Sequence, residues 1–411
     1  MADPTIRPAN VAVLFNLETN EAVDAGPDPT VDGIPVESDS VTYNSPWTTE
    51  AANEATGSLV GGAPLIIGQS ATFSFKSRVK GAGGGVVYTS TVKPPLHQVL
   101  QACGWRGQFT PAIMAALATA GGATSVTLPA SFPATARALL GSILLIGAGT
   151  GNGAAAAIVE YTAGRVATLA ETYNPPLDTT TSASIPANWT YAQTSPSDQT
   201  ARLTDQPSGT CYIYEDGVLR RFVGCRGTIM LDGKNARPGY ATVNMTGIYA
   251  GRADTPVPTN LVVAGHSAPV LAQGTAVSNA MLMNRRPLPI STWSLDPGSQ
   301  IENVDDPNTT YGFGAGQIVD RTSILKIDPL ATLIASRDTI TDIGNGVTYP
   351  AVLRHGAQPG NRWALIVPVG QPTAADPGTR GKLRSEQISL QCRNNGRDAV
   401  TRDTDRILCF Y

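Results

Sequence analysis

The sequence predicts a mainly β protein of sandwich or barrel type, and three observations point there. The 411 residues include 42 glycines and 31 prolines. With Ser, Thr, Asn and Asp plentiful between apolar runs, that mix interrupts helices and suits short strands joined by turns. Charged residues make up only 15%, against roughly 25% in an average globular chain. The strongest local signals are strand signals: ATFSFKSRVK (71–80) alternates with a period of two, and TCYIYEDGVLRRFVG (210–224) places Asp216-Gly217 between two apolar runs, a short-hairpin signature. Hydrophobic residues at 42% supply a core, and the length suits roughly two or three domains.

Taken in order, residues 1–56 are polar, Pro-rich and acidic, with one apolar burst at 11–17; they read as an N-terminal arm, extended over 18–53. After the strand at 71–80, the Gly-rich turn 81–85 leads to Lys93-Pro94-Pro95 and LHQVLQACG. Pro95 suits the first turn of a helix, Gly104 suits its stop, and Leu96, Val99, Leu100 and Cys103 share one face. Residues 107–195 turn rich in Ala, Gly and Thr, with apolar bursts at 138–146, 155–161 and 166–169; they read as a small inserted β domain. A meander follows over 210–250, with strands at 227–231 and 240–249 and a turn at Asp232-Gly233, and then a Pro-rich linker at 253–260. The plan then recurs in reduced form. Strands are expected at 288–295 and 322–327. A helix PLATLIASR is expected with Asp328 as N-cap, Pro329 at its first position and Leu330, Leu333 and Ile334 as its apolar face. Closing strands are expected at 363–369, 382–392 and 405–411.

The composition excludes several functions. Net charge is −3, with 23 arginines and six lysines against 32 acids, so the basic excess of a nucleic-acid grip is missing. No run reaches the ~18 apolar residues of a membrane helix, and MADPTIRPAN lacks the pattern of a signal peptide. Cys103, Cys211, Cys225, Cys392 and Cys409 are odd in number and none forms a CxxC pair; they read as buried apolar residues in a reducing compartment. Gly149, Gly151 and Ala154 make a GxGxxA-like run, but a hairpin rather than a helix follows, so a flexible turn is the reading. Gly265-His266-Ser267-Ala268-Pro269 lacks the final Gly of a nucleophile elbow, and a triad would have to draw on His97, His266 or His355. The acids at Asp305-Asp306 and 403–405 lack metal-ligand spacing and read as solvated loops. Arg220-Arg221, Arg285-Arg286 and the run 380–384 read as carboxylate partners rather than phosphate contacts.

At YIYEDGVLRRFVGCRGTIMLDGKNARPGYATVNMTGIYAG (212–251) the sequence closely resembles the tail tube, or major tail, proteins of long-tailed bacteriophages, the siphophages. The carrying residues are Asp216-Gly217, Gly224-Cys225-Arg226-Gly227-Thr228 and Met245-Thr246-Gly247-Ile248-Tyr249. VLQACGW (99–105), the stretch from SVTLPASF to SIPANWTY (125–191) and LPISTWSLDPGSQIENVDD (288–306) are also similar, the last with Gln300 and Asn303 where the family pattern is looser. The resemblance covers most of the chain past residue 57; the arm and residues 344–377 stand outside it.

The resemblance implies two tandem tail-tube-type β-sandwich or barrel domains, each with a short flanking helix. One comprises 57–106 with 196–258 and the other 259–411, while the insertion at 107–195 faces outward. It implies a structural protein of the virion tail, made in the host bacterial cytoplasm. Catalytic, cofactor-binding and metal-binding residues are none. Copies would form rings that stack into a tube around a tape-measure protein, capped by tail terminator and distal tail proteins, and DNA would pass through the lumen without specific binding. With two such domains per chain, three copies make a pseudo-sixfold ring, and its lumen is expected to be acidic and small-polar. The arm at 18–56 and the linker are expected to connect rings. The alternative is a monomeric β-sandwich module binding carbohydrate or a cell surface, against which aromatic content of 6% counts; a secreted hydrolase comes third.

Overall fold

In a computed structural model, residues 5–52, 54–55, 57, 59–263 and 279–411 are described. The chain is mainly β, as its turn-rich composition predicts, with three short helices among the described residues. The first part comprises β1 (Val11–Leu17), β2 (Gly33–Ile34), β3 (Thr42–Tyr43), β4 (Trp47–Glu50), β5 (Leu65–Gly68), β6 (Ala71–Arg78), α1 (His97–Ala102) and β7 (Trp105–Thr110). β6 alternates buried and half-exposed residues along its length, as its period-two sequence requires. α1 buries Val99 and Leu100, with Leu96 and Cys103 flanking it in the core, and Gly104 stops it at φ +77°.

Of the segment expected as an arm over 18–53, residues 18–43 are held against the sheet. Glu18 and Asp32 are buried, β2 pairs with β1, and β3 pairs with β6. Polarity misled the sequence reading there, because these polar groups are satisfied by the chain's own backbone and hydroxyls rather than by water.

The insertion follows as β8 (Ile113–Leu117), β9 (Ala120–Gly121), β10 (Ser125–Thr127), β11 (Ile143–Ala148), β12 (Ala155–Tyr161), β13 (Val166–Leu169) and β14 (Ser182–Ile185). These seven strands form a sheet of their own over a core that includes Phe132, Ile158, Tyr161 and Leu169. Its limits are narrower than 107–195, because β7 and β15 (Asn188–Gln193) pair with each other inside the main sheet. The insertion also packs back: Ile143, Ala157 and Val159 cluster with Val352, Ile366, Cys409 and Tyr411.

Next come α2 (Gln199–Asp205), β16 (Gly209–Glu215), β17 (Val218–Lys234) and β18 (Gly239–Asp254). Asp216-Gly217 forms the hairpin turn, both residues at positive φ. The turn expected at Asp232-Gly233 lies further on, between Lys234 and Gly239, because β17 continues as a strand and pairs Leu231–Lys234 with Thr292–Leu295. The linker expected at 253–260 begins inside β18.

The last part comprises β19 (Met281–Met283), β20 (Arg286–Pro287), β21 (Thr292–Asp296), β22 (Ser299–Asp305), β23 (Phe313–Arg321), β24 (Ile324–Ile327), α3 (Thr339–Gly344), β25 (Tyr349–His355), β26 (Trp363–Arg380), β27 (Leu383–Cys392) and β28 (Ile407–Phe410). No helix forms over PLATLIASR. Asp328 accepts the amides of Ser291 and Thr292, while Pro329, Leu330 and Ala331 run as a ladder beside residues 384–386. Leu333 and Ile334 are therefore exposed. The short helix of this half is α3, capped by the Asp338 carboxylate accepting from the Thr341 amide.

One pairing order occurs twice. In the first half the strands run β2-β1-β16-β17-β18-β6-β3. In the second they run β20-β19-β25-β26-β27-β24-β21. Each half also carries one hairpin at the same point of the order, β4–β5 before β6 and β22–β23 before β24. Short helices follow between that strand and the next of the set, α1 and α2 before β16 and α3 before β25. The β17–β21 pair joins the halves into a single sheet, and one apolar core draws on both, from Phe15 and Phe75 to Trp293, Trp363 and Phe410. Each large apolar side chain buried there contributes about 1.5–3 kcal/mol.

Candidate functional surface

Most of the described side chains that suggested chemistry are occupied in structural roles. The Gly149–Ala154 run is the loop between β11 and β12, with a strand rather than a helix after it, so it forms no dinucleotide cradle. His97 is buried on α1, its Nδ1 2.7 Å from the Tyr191 hydroxyl and its Nε2 3.0 Å from the Gln101 amide nitrogen. The amide donates to Nε2, which places the ring proton on Nδ1. Burial, and then the charge of Lys93, holds the His97 pKa down to about 3. His355 is buried and stacked on Trp363 with centroids 4.0 Å apart. The Gly265-His266-Ser267 motif lies outside the described residues.

The five cysteines are free and buried. Burial pushes the thiols of Cys392 and Cys409 up to about 12, which makes them poor nucleophiles. Among the described residues no three His, Cys, Asp or Glu side chains gather as a metal site would need. Asp403 and Asp405 are not solvated loop acids but buried partners of Arg321, Arg397 and Arg406. Asp305 ends β22 in the open.

The arginines explain themselves through the carboxylates they meet. Thirteen of them form ion pairs among the described residues, so more than half of the guanidinium charge is engaged within the chain. Arg220 pairs with Glu215 and lies over the Tyr43 ring; Arg380 pairs with Asp328. Arg285 and Arg286 donate to the carbonyls of Leu169 and Ser336. Arg402, fully inside, is held by Asp398 and donates to the carbonyls of Thr190 and Arg106. This is the fixed bidentate use that favours Arg over Lys.

What the described surface offers is apolar area and open β structure. Trp47, Leu65, Ile66 and Ile67 are exposed on the β4–β5 hairpin, Met114 and Leu117 on the edge strand β8, and Leu333, Ile334 and Ile340 near α3. Scattered apolar residues are ordinary, but clusters on projecting elements mark contact surfaces. A polar cleft of about 580 Å³ opens beside the end of β27, lined by Ser195, Arg321, Gln391, Asn394 and Asp403, of which Arg321 and Asp403 are paired with each other. Among the described residues no helix is long and apolar enough to cross a membrane. A scan of protein-family models gives no match to the chain, and neither does a search of curated proteins.

Proposed function

We propose that this chain is the structural subunit of a bacteriophage tail tube, self-assembling into stacked rings whose lumen conducts DNA during genome ejection. The observation that carries the reading is the seven-strand pairing order that occurs twice, in a chain whose motif order resembles the tail tube proteins. On this reading each pairing set is one tube-type domain, and the sheet at 113–185 is an outward addition. Repeated β units with open edges and projecting apolar hairpins suit polymerisation, since head-to-tail contacts that close give rings and a second contact along the axis stacks them. With two units per chain, three copies complete a pseudo-sixfold ring. A lumen lined by acidic and small polar side chains lets DNA slide, because a basic lining would hold phosphate by counterion release. The virion tail is then the site of action, with the tape-measure, tail terminator and distal tail proteins as partners.

Negative-stain microscopy with mass photometry of the purified chain at rising concentration tests this. Rings or tubes are expected, with three chains per ring. Six full-length chains per ring would overturn the trimer. A protein that stays monomeric throughout would overturn the tube and return the reading to a monomeric β-sandwich carbohydrate or cell-surface binding module.

A further inference from the structure

The two pairing sets are alike in register, but their hairpins are not alike in what they touch. In the first set Phe73 pairs with Tyr43 and Met245, and Met245 with Gly227. In the second Leu325 pairs with Leu295 and Leu390, and Leu390 with Pro372. One step along, Thr246 lies between Thr72 and Arg226 as Gln391 lies between Ile324 and Gln371. Counting outward from Tyr43 and Leu295, Ala51 stands where Asn303 stands; counting back from Phe73 and Leu325, Ile66 stands where Ile318 stands.

The second hairpin, β22–β23, is docked. It crosses the outer face of β17–β18, where the Thr246 hydroxyl donates to Asn303 Oδ1 at 2.7 Å. Arg226 donates to the Gly316 carbonyl at 2.8 Å, and Arg202 donates to Gln317 at 3.0 Å. Ile318 lies against Gly104. As a result Arg226 is fully buried and Thr246 is 8% exposed.

The first hairpin, β4–β5, meets the turn of the second at its base, where the Trp47 ring lies 5.0 Å from the Tyr311 ring, but its apolar tip has no such bed. Ile66 is 72% exposed and Leu65 58%. The face equivalent to its bed, the outer side of β26–β27, is bare: Thr373, Gln387 and Gln391 are exposed there. The chain cannot bring the two together itself. β3, from which β4–β5 emerges, and β26 lie at opposite ends of the strand run β3-β6-β18-β17-β21-β24-β27-β26. A projecting hairpin at one end and an empty bed at the other is the geometry of a heterologous contact between copies. The bed is polar, with Thr373, Gln387 and Gln391 at its centre and one carboxylate, Asp376, across from Gln387, so it carries no block of like charge against an apolar hairpin.

We infer that the β4–β5 hairpin of one copy docks across the β26–β27 hairpin of a second copy, reproducing the way β22–β23 crosses β17–β18 within each chain. The partner is another molecule of this chain, and the inference rests on the self-assembly proposed above. Gln371 and Gln391 take the places of Arg226 and Thr246 at the junction. Ala51 comes to Gln391 as Asn303 comes to Thr246.

Mixing two single variants of the full chain, Ala51→Cys and Gln391→Cys, under mild oxidation tests the contact. The native cysteines are buried, so the introduced thiols report alone, and Thr246→Cys with Asn303→Cys in one chain is the positive control, closing within the chain without forming a dimer. The expected result is a covalent dimer in the mixture and in neither variant alone. Ile66→Asp in an otherwise unaltered chain should weaken self-association by about tenfold or more while leaving its circular dichroism unchanged. Rings or tubes that form without the mixed dimer would overturn the docking and leave the tube reading standing. A mixed dimer without rings or tubes would do the reverse. A chain that neither assembles nor cross-links would overturn both.

Discussion

Replacing Glu18 by Gln removes one charge and turns one acceptor into a donor where the N-terminal segment is pinned to the sheet. The Glu18 carboxylate is buried and accepts four hydrogen bonds. Oε1 takes Thr210 Oγ1 at 2.9 Å and the Gly224 amide at 2.8 Å. Oε2 takes Ser208 Oγ at 2.6 Å and the Ala22 amide at 2.8 Å. An amide can be placed two ways, and either way its NH2 meets one backbone N–H that cannot turn round; only the hydroxyl beside it can reorient. An orphaned buried donor costs about 1–3 kcal/mol, and the remaining bonds lose their ionic assistance. The expected loss is about 2–4 kcal/mol. Guanidinium unfolding followed by tryptophan fluorescence measures it, and native-state hydrogen exchange locates it at the amides of Ala22 and Gly224. A loss below about 0.5 kcal/mol, the scale of a neutral surface change, would refute the reasoning. Residues 18–34 would then be a free arm after all.

Three further outcomes follow from the structure. His97 titrates near 6.5 when unfolded and near 3 when folded, so below pH 6.5 the unfolded chain binds the extra proton; stability should fall by up to about 1.4 kcal/mol per pH unit down to pH 3, and His97→Gln should flatten that part of a stability–pH profile. Gly233→Val should lower stability by about 1–3 kcal/mol in thermal unfolding, since a Cβ there lies 2.7 Å from the Trp293 indole nitrogen. Leu333→Ser with Ile334→Ser should change stability by less than about 0.5 kcal/mol in the same assay, whereas a buried helix face would lose about 2–5 kcal/mol for each residue.

Signals confined to a few neighbouring residues were legible in the sequence. Alternation gave β6, Asp216-Gly217 gave the β16–β17 hairpin, and Leu96, Val99, Leu100 and Cys103 gave α1. What escaped was decided by partners far along the chain. Asp328 looks like a helix cap beside Pro329, but the amides of Ser291 and Thr292 claim its carboxylate and the backbone joins a ladder. Asp232-Gly233 looks like a turn, but β21 holds it in a strand, and the missing side chain at Gly233 admits the Trp293 ring. The caps of α2 and α3 were visible, since Asp198 and Asp338 each stand three residues before the amide they accept; only the weak apolar pattern behind them hid the helices. The exposed hairpin was the hardest to read, because Leu65, Ile66 and Ile67 look like an ordinary buried strand until the structure leaves them without a neighbour on one face.

The strand β28 sits between β15 and the start of β26, pairing Trp189 with Phe410 on one side and Trp363 with Phe410 on the other. Trp189 and Phe410 are more than half the chain apart, so this closure carries a loop entropy that local hairpins such as β16–β17 do not. Folding should therefore be slow at this step. Until Ile407–Phe410 slot in, β15 and β26 each present an unsatisfied ladder, and a neighbouring chain can add to either of them as readily as β28 does. The strand that completes the sheet also decides, during folding, between correct closure and aggregation.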